Sequence, residues 1–159
     1  MTDSTFTAAP VATPATASMP TNVAELARRL PGFLQGARWF WWIAGLSAVN
    51  VACDLAHADF SFVMGLAYTQ LAHAMFASNM AVALVIDAFF IGGFWLLGLK
   101  AQQGQAWALV VGILVYLGDA LLYTRFAIWM PVAFHALALF YLGKAFMSLQ
   151  AAKKATGLG

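Results

Sequence analysis

Three acids, one histidine and one asparagine are the side chains of this sequence that could do chemistry among apolar residues. They are Asn50, Asp54, Asp87, Asp119 and His135. Carboxylates and imidazoles exchange protons and bind cations, so proton transfer and cation binding are the reactions open to them. A charged acid at the centre of a bilayer costs about 2.5 to 3.5 kcal/mol on insertion scales, so such side chains should face inward and find partners.

The positions of these residues predict that they gather at one side of a helical bundle. A rise of about 1.5 Å per residue puts Asp119 about 7 Å below the outer end of its helix and His135 about 6 Å from the same side. Asp54 falls at the outer boundary, and Asp87 lies about 12 Å deep. We therefore predict a polar cluster in the outer half of the bundle. It provides either interhelical contacts or a path for protons, cations or a small solute.

Motifs of the common enzyme and metal classes are absent from the sequence. It contains no G-x-S-x-G, no H-E-x-x-H, no phosphate-binding glycine loop and no C-x-x-C. The Glu-x-x-His motif of diiron bundles is absent, and the single cysteine, Cys53, excludes an intramolecular disulfide. We predict no catalytic residue, no metal ligand and no cofactor, and the sequence gives no positive support for an enzyme.

The composition identifies the solvent of the protein. Hydrophobic residues make up 63% of the 159 residues and charged residues 9%, whereas soluble domains carry about 25% charged residues. So few charges cannot cover a soluble protein, and the lipid bilayer is the predicted partner. No basic run is long enough for nucleic acid. A homo-oligomer or a second membrane protein remains open as a further partner.

Four apolar stretches have the length of a membrane-spanning helix. They cover 38–56, 79–99, 106–124 and 131–149, so that the membrane domain extends over 38–149. Residues 60–77 are also apolar, but Tyr68, Gln70 and His73 lie in the middle of this short run. We predict an interfacial or re-entrant helix there. The fold class is thus an all-α, integral membrane four-helix bundle with an extra helix between spans one and two.

The two ends of the chain have different compositions from the spans. Residues 1–21 form a Thr/Ala/Pro-rich tail that buries too little to fold. Residues 22–37 predict a short amphipathic surface helix and turn, capped by Thr21 or Asn22 and ended by Pro31. Residues 150–159 are a basic tail. Within the spans, small residues predict close contacts between helices; these are Gly92, Gly93, Gly112 and Gly118.

The distribution of basic residues predicts the orientation. Of the eight lysines and arginines, only Arg125 falls outside the side that both chain ends share if four helices span. Because basic residues concentrate on the cytoplasmic side of membrane proteins, the N-terminus and the C-terminus are predicted to be cytoplasmic. A fifth span over 60–77 would destroy this agreement.

Three segments of the chain resemble uncharacterised small four-span membrane proteins of bacteria. They are RWFWWIAGLSAVN at 38–50, AWALVVGILVYLGDALL at 106–122 and VAFHALALFYLGKA at 132–145. The resemblance covers about 38–149 and rests on apolar patterns around Asn50, Asp119 and His135. It implies a compact four-helix bundle in a bacterial inner membrane and carries no activity with it.

The orientation can be tested with a topology reporter. A reporter domain fused after Gly159 should read cytoplasmic, because four spans return the chain to the side on which it began. A reporter placed in the connection between the third and fourth spans, beside Arg125, is the matched control and should read periplasmic. A periplasmic reading after Gly159 would contradict the four-span prediction.

Overall fold

The computed structural model describes residues 22–57 and 65–157, which form six helices. In chain order the helices are α1 (Val23–Arg29), α2 (Phe33–Leu55), α3 (Ala67–Met75), α4 (Met80–Gln102), α5 (Ala106–Arg125) and α6 (Trp129–Ala155). Every regular element in these two ranges is helical, which confirms the all-α prediction. The predicted tail at 1–21 and the first part of the predicted 60–77 helix lie outside the described residues.

Three of the described helices, α4, α5 and α6, are long and apolar enough to cross a membrane. With 23 residues α2 is as long as α4, but it is not apolar enough to count among them. The reason is its sequence, which includes Arg38, Asn50 and Asp54. The described helices thus support three of the four predicted spans and indicate an integral membrane protein.

The side chains of α4 are distributed as expected of a helix in lipid. Asp87 is only 2% exposed, whereas Val85 and Phe89 on the same helix are 70% and 74% exposed. Water would favour the opposite arrangement, because large exposed apolar patches are rare on soluble proteins. The interior of the bundle therefore holds the polar side chains, and its outer surface is apolar.

The first helix is shorter than the predicted 22–37 segment and packs more closely. Asn22 caps it, since the Asn22 Oδ1 accepts the Glu25 N–H at 2.8 Å. Ala27 is completely buried, and the Arg28 guanidinium donates to the Gln102 carbonyl at 2.9 Å. Thus α1 covers one end of the bundle, and α2 begins at Phe33 rather than at residue 38.

The last helix extends beyond the predicted span of 131–149. It continues to Ala155, so most of the predicted basic tail at 150–159 is helical. The cause is a buried stripe that continues past the predicted end, since Ala145, Leu149 and Ala152 are all completely buried. Their spacing of four and three residues keeps them on one helical face.

The ends of the bundle differ in charge. We call one end of the bundle the basic end; it carries α1 and the C-terminal ends of α4 and α6. Seven of the eight lysines and arginines lie on α1 or on the halves of the other helices nearest to this end. The opposite end, which we call the outer end, carries α3 and Arg125. There α3 packs against both α4 and α5.

Two of the four predicted glycines lie at close contacts within the bundle, and the other two do not. At Gly112 a Cβ would overlap the Phe40 ring, which confirms a close contact of α5 with α2. At Gly118 a Cβ would lie 2.6 Å from the Tyr68 hydroxyl. At Gly92 and Gly93 a Cβ would have nothing within 4 Å, so these two glycines make no close helix contact within the chain. These two glycines lie on the outer surface of α4.

The contact of α2 with α6 gives a stability prediction. At Gly36 a Cβ would overlap the Tyr141 carbonyl oxygen and lie 2.6 Å from the Ala145 Cβ, whereas at Gly45 it would meet nothing within 4 Å. Gly36→Ala should therefore destabilise the bundle by about 1 to 3 kcal/mol through overpacking. Gly45→Ala, the same change on the same helix, meets no atom within the chain and should leave the unfolding of the detergent-solubilised monomer unchanged. Thermal unfolding in detergent measures both, and equal melting temperatures would contradict the packing of α2 against α6.

Candidate functional site

A buried carboxylate–imidazole pair joins α5 to α6. The Asp119 Oδ2 lies 2.8 Å from the His135 Nε2, and both side chains are completely buried. The other ring nitrogen of His135, Nδ1, lies 2.8 Å from the Pro131 carbonyl oxygen. A carbonyl only accepts hydrogen bonds, so Nδ1 carries a hydrogen. The contact between Nε2 and Oδ2 then needs one further proton, and with that proton the pair is neutral overall.

Aromatic rings enclose this pair. The Tyr116 ring stacks on the His135 imidazole with centroids 4.3 Å apart, and the Tyr123 ring tilts against it at 5.2 Å. One turn of α5 separates Tyr116 from the carboxylate and another separates Tyr123 from it, so a single helical face provides the acid and both rings. The rings exclude water from the imidazole.

The same carboxylate binds the beginning of α3. The Ala67 N–H donates to the Asp119 Oδ2 at 3.0 Å, and the Tyr68 N–H donates to the Oδ1 at 2.9 Å. The first amides of a helix have no partner within the helix, and a carboxylate satisfies them particularly well because of the helix dipole. Three donors therefore converge on the two oxygens of Asp119.

The residues before α3 are bound by α2 and α5. The Leu66 N–H donates to the Ser47 Oγ at 3.0 Å, and the Tyr123 hydroxyl donates to the Gly65 carbonyl at 3.3 Å. A Cβ on Gly65 would overlap the end of the Asn50 side chain, so the backbone at Gly65 approaches that amide closely. This completes the binding of the α3 N-terminus, which we call the α3 seat: Ser47, Asn50, Asp119, Tyr123 and His135.

A second polar group holds the other end of α3. The His73 Nε2 lies 2.7 Å from the Asp87 Oδ2 on α4, and the His73 Nδ1 lies 3.7 Å from the Asp54 Oδ2 on α2. Asp87 is buried, whereas the Asp54 side chain is 38% exposed. The second oxygen of Asp87, Oδ1, is buried without a hydrogen-bond partner among the described residues. We call this group the His73 bridge.

The five predicted cluster residues thus divide into two groups. Asn50, Asp119 and His135 belong to the α3 seat, and Asp54 and Asp87 belong to the His73 bridge. Three further members, His73, Ser47 and Tyr123, were not predicted from the sequence. The imidazole of His73 in an apolar segment is a signal that could have identified it. The sequence does not show, however, that α3 folds back against α4 and α5 and so brings His73 to the acids.

Neither group resembles a metal centre. The residues at 22–57 and 65–157 contain no group of three or more His, Cys, Asp or Glu side chains that could hold a metal ion.

A comparison of the chain with known protein families, curated proteins and solved structures found no match. The geometry therefore carries the functional argument by itself.

The role of Asp119 in the α3 seat can be measured directly. Asp119→Ala leaves the Ala67 N–H, the Tyr68 N–H and His135 without their acceptor, and each unsatisfied buried group costs about 1 to 3 kcal/mol. Hydrogen exchange of the first α3 amides should accelerate, while exchange in the middle of α6 should not. Asp54→Ala is the control, since that partly exposed acid does not touch this end of α3. Unchanged exchange at Ala67 and Tyr68 in Asp119→Ala would contradict the capping role.

Proposed function

We propose that this chain is a non-enzymatic, four-span integral membrane protein that acts by assembling with itself or with a membrane partner. In this proposal α2, α4, α5 and α6 span a bacterial inner membrane, and α3 is a re-entrant helix at the outer end. The length of α2 supports its inclusion, since 23 residues are enough to cross the hydrocarbon core. Two polar side chains of α2 have partners at the outer end of the bundle, since Ser47 accepts the Leu66 N–H and Asp54 lies 3.7 Å from the His73 Nδ1.

The orientation is proposed from charge. Arg28, Arg29, Lys153 and Lys154 all belong to the basic end, and Lys100 lies near the close of α4. At the outer end Arg125 is the one lysine or arginine among the described residues. This distribution supports cytoplasmic N- and C-termini.

One observation carries the structural role of the polar residues: both oxygens of Asp119 are used by three donors inside a completely buried site. These contacts take up three of the about four acceptor positions of the carboxylate, and its complete burial closes it to a passing cation. Its hydrogen bonds instead keep α3 in the bundle, where unsatisfied backbone amides would be costly in lipid. We infer that the α3 seat stabilises the fold and that the protein acts through its surface.

Open glycines on the outer surface support assembly. At Gly45 on α2, Gly92 on α4 and Gly143 on α6 a Cβ would have no neighbour within 4 Å. Helices in membranes associate through small residues, because these let two backbones approach closely. Helical packing within the chain does not explain these three positions, whereas packing against another chain would.

The second candidate is a proton or cation path through the His73 bridge. Asp54 is partly exposed, His73 follows it, and Asp87 lies behind with one oxygen unpartnered. This series leads from the surface toward the interior, as a proton relay would. Four helices scarcely enclose a pore, so the path would run between chains of an oligomer.

Liposomes and nanodiscs discriminate between the two candidates. Under the first, wild-type protein conducts neither protons nor cations, and native mass spectrometry detects an oligomer or a co-purified membrane protein. Asp119→Asn then weakens assembly or stability without any change in flux. Under the second, wild-type protein conducts, and Asp87→Asn abolishes conduction while the protein stays folded. A monomer without flux and without a co-purified protein would contradict both candidates.

A further inference from the structure

An open apolar groove follows the boundary between α4 and α5 on the outer surface. Its volume is about 370 Å³, which lies within the range of ligand sites in proteins. Aromatic and aliphatic side chains line most of it, and the lining residues are Phe89, Phe90, Gly93, Phe94, Leu96, Leu97, Lys100, Trp107, Val111 and Val115. The groove exists partly because Gly93 has no side chain to fill it.

The groove has one polar end and one closed end. Lys100 is its only charged lining residue and lies where α4 approaches its close at the basic end. Across from it lies Trp107, whose indole N–H donates to the Gln105 side-chain oxygen at 2.8 Å. At the far end the Phe90 ring stacks on the Tyr68 ring of α3, with centroids 4.6 Å apart. Thus α3 closes the groove from the outer side.

The length of the groove matches one leaflet of a bilayer. Eleven residues of α4 separate Phe89 from Lys100, which corresponds to about 16 Å of helix. Half the hydrocarbon core of a bilayer measures about 15 Å. An apolar channel of this length, with an ammonium group and an indole at the interfacial end, has the shape of an acyl chain and the charge complement of a phosphate headgroup.

We propose that this groove binds an anionic phospholipid of the cytoplasmic leaflet. One acyl chain lies along Gly93 between the phenylalanines of α4 and the valines of α5. The Lys100 ammonium binds the headgroup phosphate, and the first amides of α5, which begins at Ala106 beside the groove, add the positive end of a helix dipole. The inference rests on the membrane placement of α4 and α5 and is independent of whether the chain assembles.

The first test removes the space for the acyl chain. Full-length protein is reconstituted in nanodiscs of phosphatidylcholine with a minor share of phosphatidylglycerol, and retained lipid is measured by native mass spectrometry. Wild type should retain phosphatidylglycerol preferentially, and Gly93→Leu should lose it because leucine fills the groove. Gly92→Leu is the matched control: it is the adjacent residue of the same helix, also with nothing within 4 Å, but does not line the groove. It should retain the lipid.

The second test removes the charge without filling the groove. Lys100→Gln should lower the preference for phosphatidylglycerol over phosphatidylcholine about fivefold, the ratio that corresponds to the roughly 1 kcal/mol contributed by one lysine near an anionic surface. Lys154→Gln removes an exposed charge of the same end outside the groove and should leave the preference unchanged. Since Lys100 is exposed, this variant keeps the test valid even if Gly93→Leu fails to fold.

Three results would overturn the proposal. Wild type that retains no phospholipid, or retains both headgroups equally, excludes the site. Equal retention by Gly93→Leu and Gly92→Leu excludes the groove as its location. If Gly93→Leu instead converts an oligomer to a monomer without altering the retained lipid, the groove is occupied by a second copy of the chain. That last result would leave the proposed assembly intact and remove only the lipid site.

Discussion

The rest of the outer end depends on the hydrogen bonds of the Asp119 carboxylate. The first amides of α3 are buried among α2, α5 and α6, where they need acceptors other than water. Asp119 satisfies two of these amides and binds His135 with the same group. One side chain thereby joins α3, α5 and α6. The Pro131 carbonyl accepts from the other ring nitrogen and so fixes the orientation of the imidazole.

Placing α3 in this position has consequences for the surface. The helix packs against both α4 and α5, and its Tyr68 ring covers the Phe90 ring. Toward the basic end α4 and α5 are joined by a short turn, and between these two constraints lies the open groove beside Gly93. An interior hydrogen-bonding requirement thus shapes an exterior apolar feature. The His73 bridge, which holds the other end of α3, makes the position of this helix doubly determined.

Several features could be read from the sequence because they depend on local composition. The first residues of α4, α5 and α6 were predicted within two positions, since long apolar runs have few alternatives to a helix. Thr21 or Asn22 was predicted as the cap of the first helix, and Asn22 occupies that position. The helix ends were predicted less accurately where buried small residues extend a helical face, as Ala152 does in α6. The contacts of the glycines were harder still to predict. Gly93 and Gly112 both lie in apolar helical runs and differ only in what packs opposite them.

The sequence by itself determined the helical class, the membrane as solvent, the asymmetry of charge, and the conclusion that Asp119 and His135 need partners. Each of these follows from composition, period and position along a helix, which are local properties. Only the tertiary structure decided that the five polar residues separate into the α3 seat and the His73 bridge, and that His73 belongs to them. Residues 73 and 87 lie on different helices, and Ala67 is 52 residues from Asp119. Such contacts depend on how α3 folds back between α4 and α5, and no periodicity within a single helix encodes that choice.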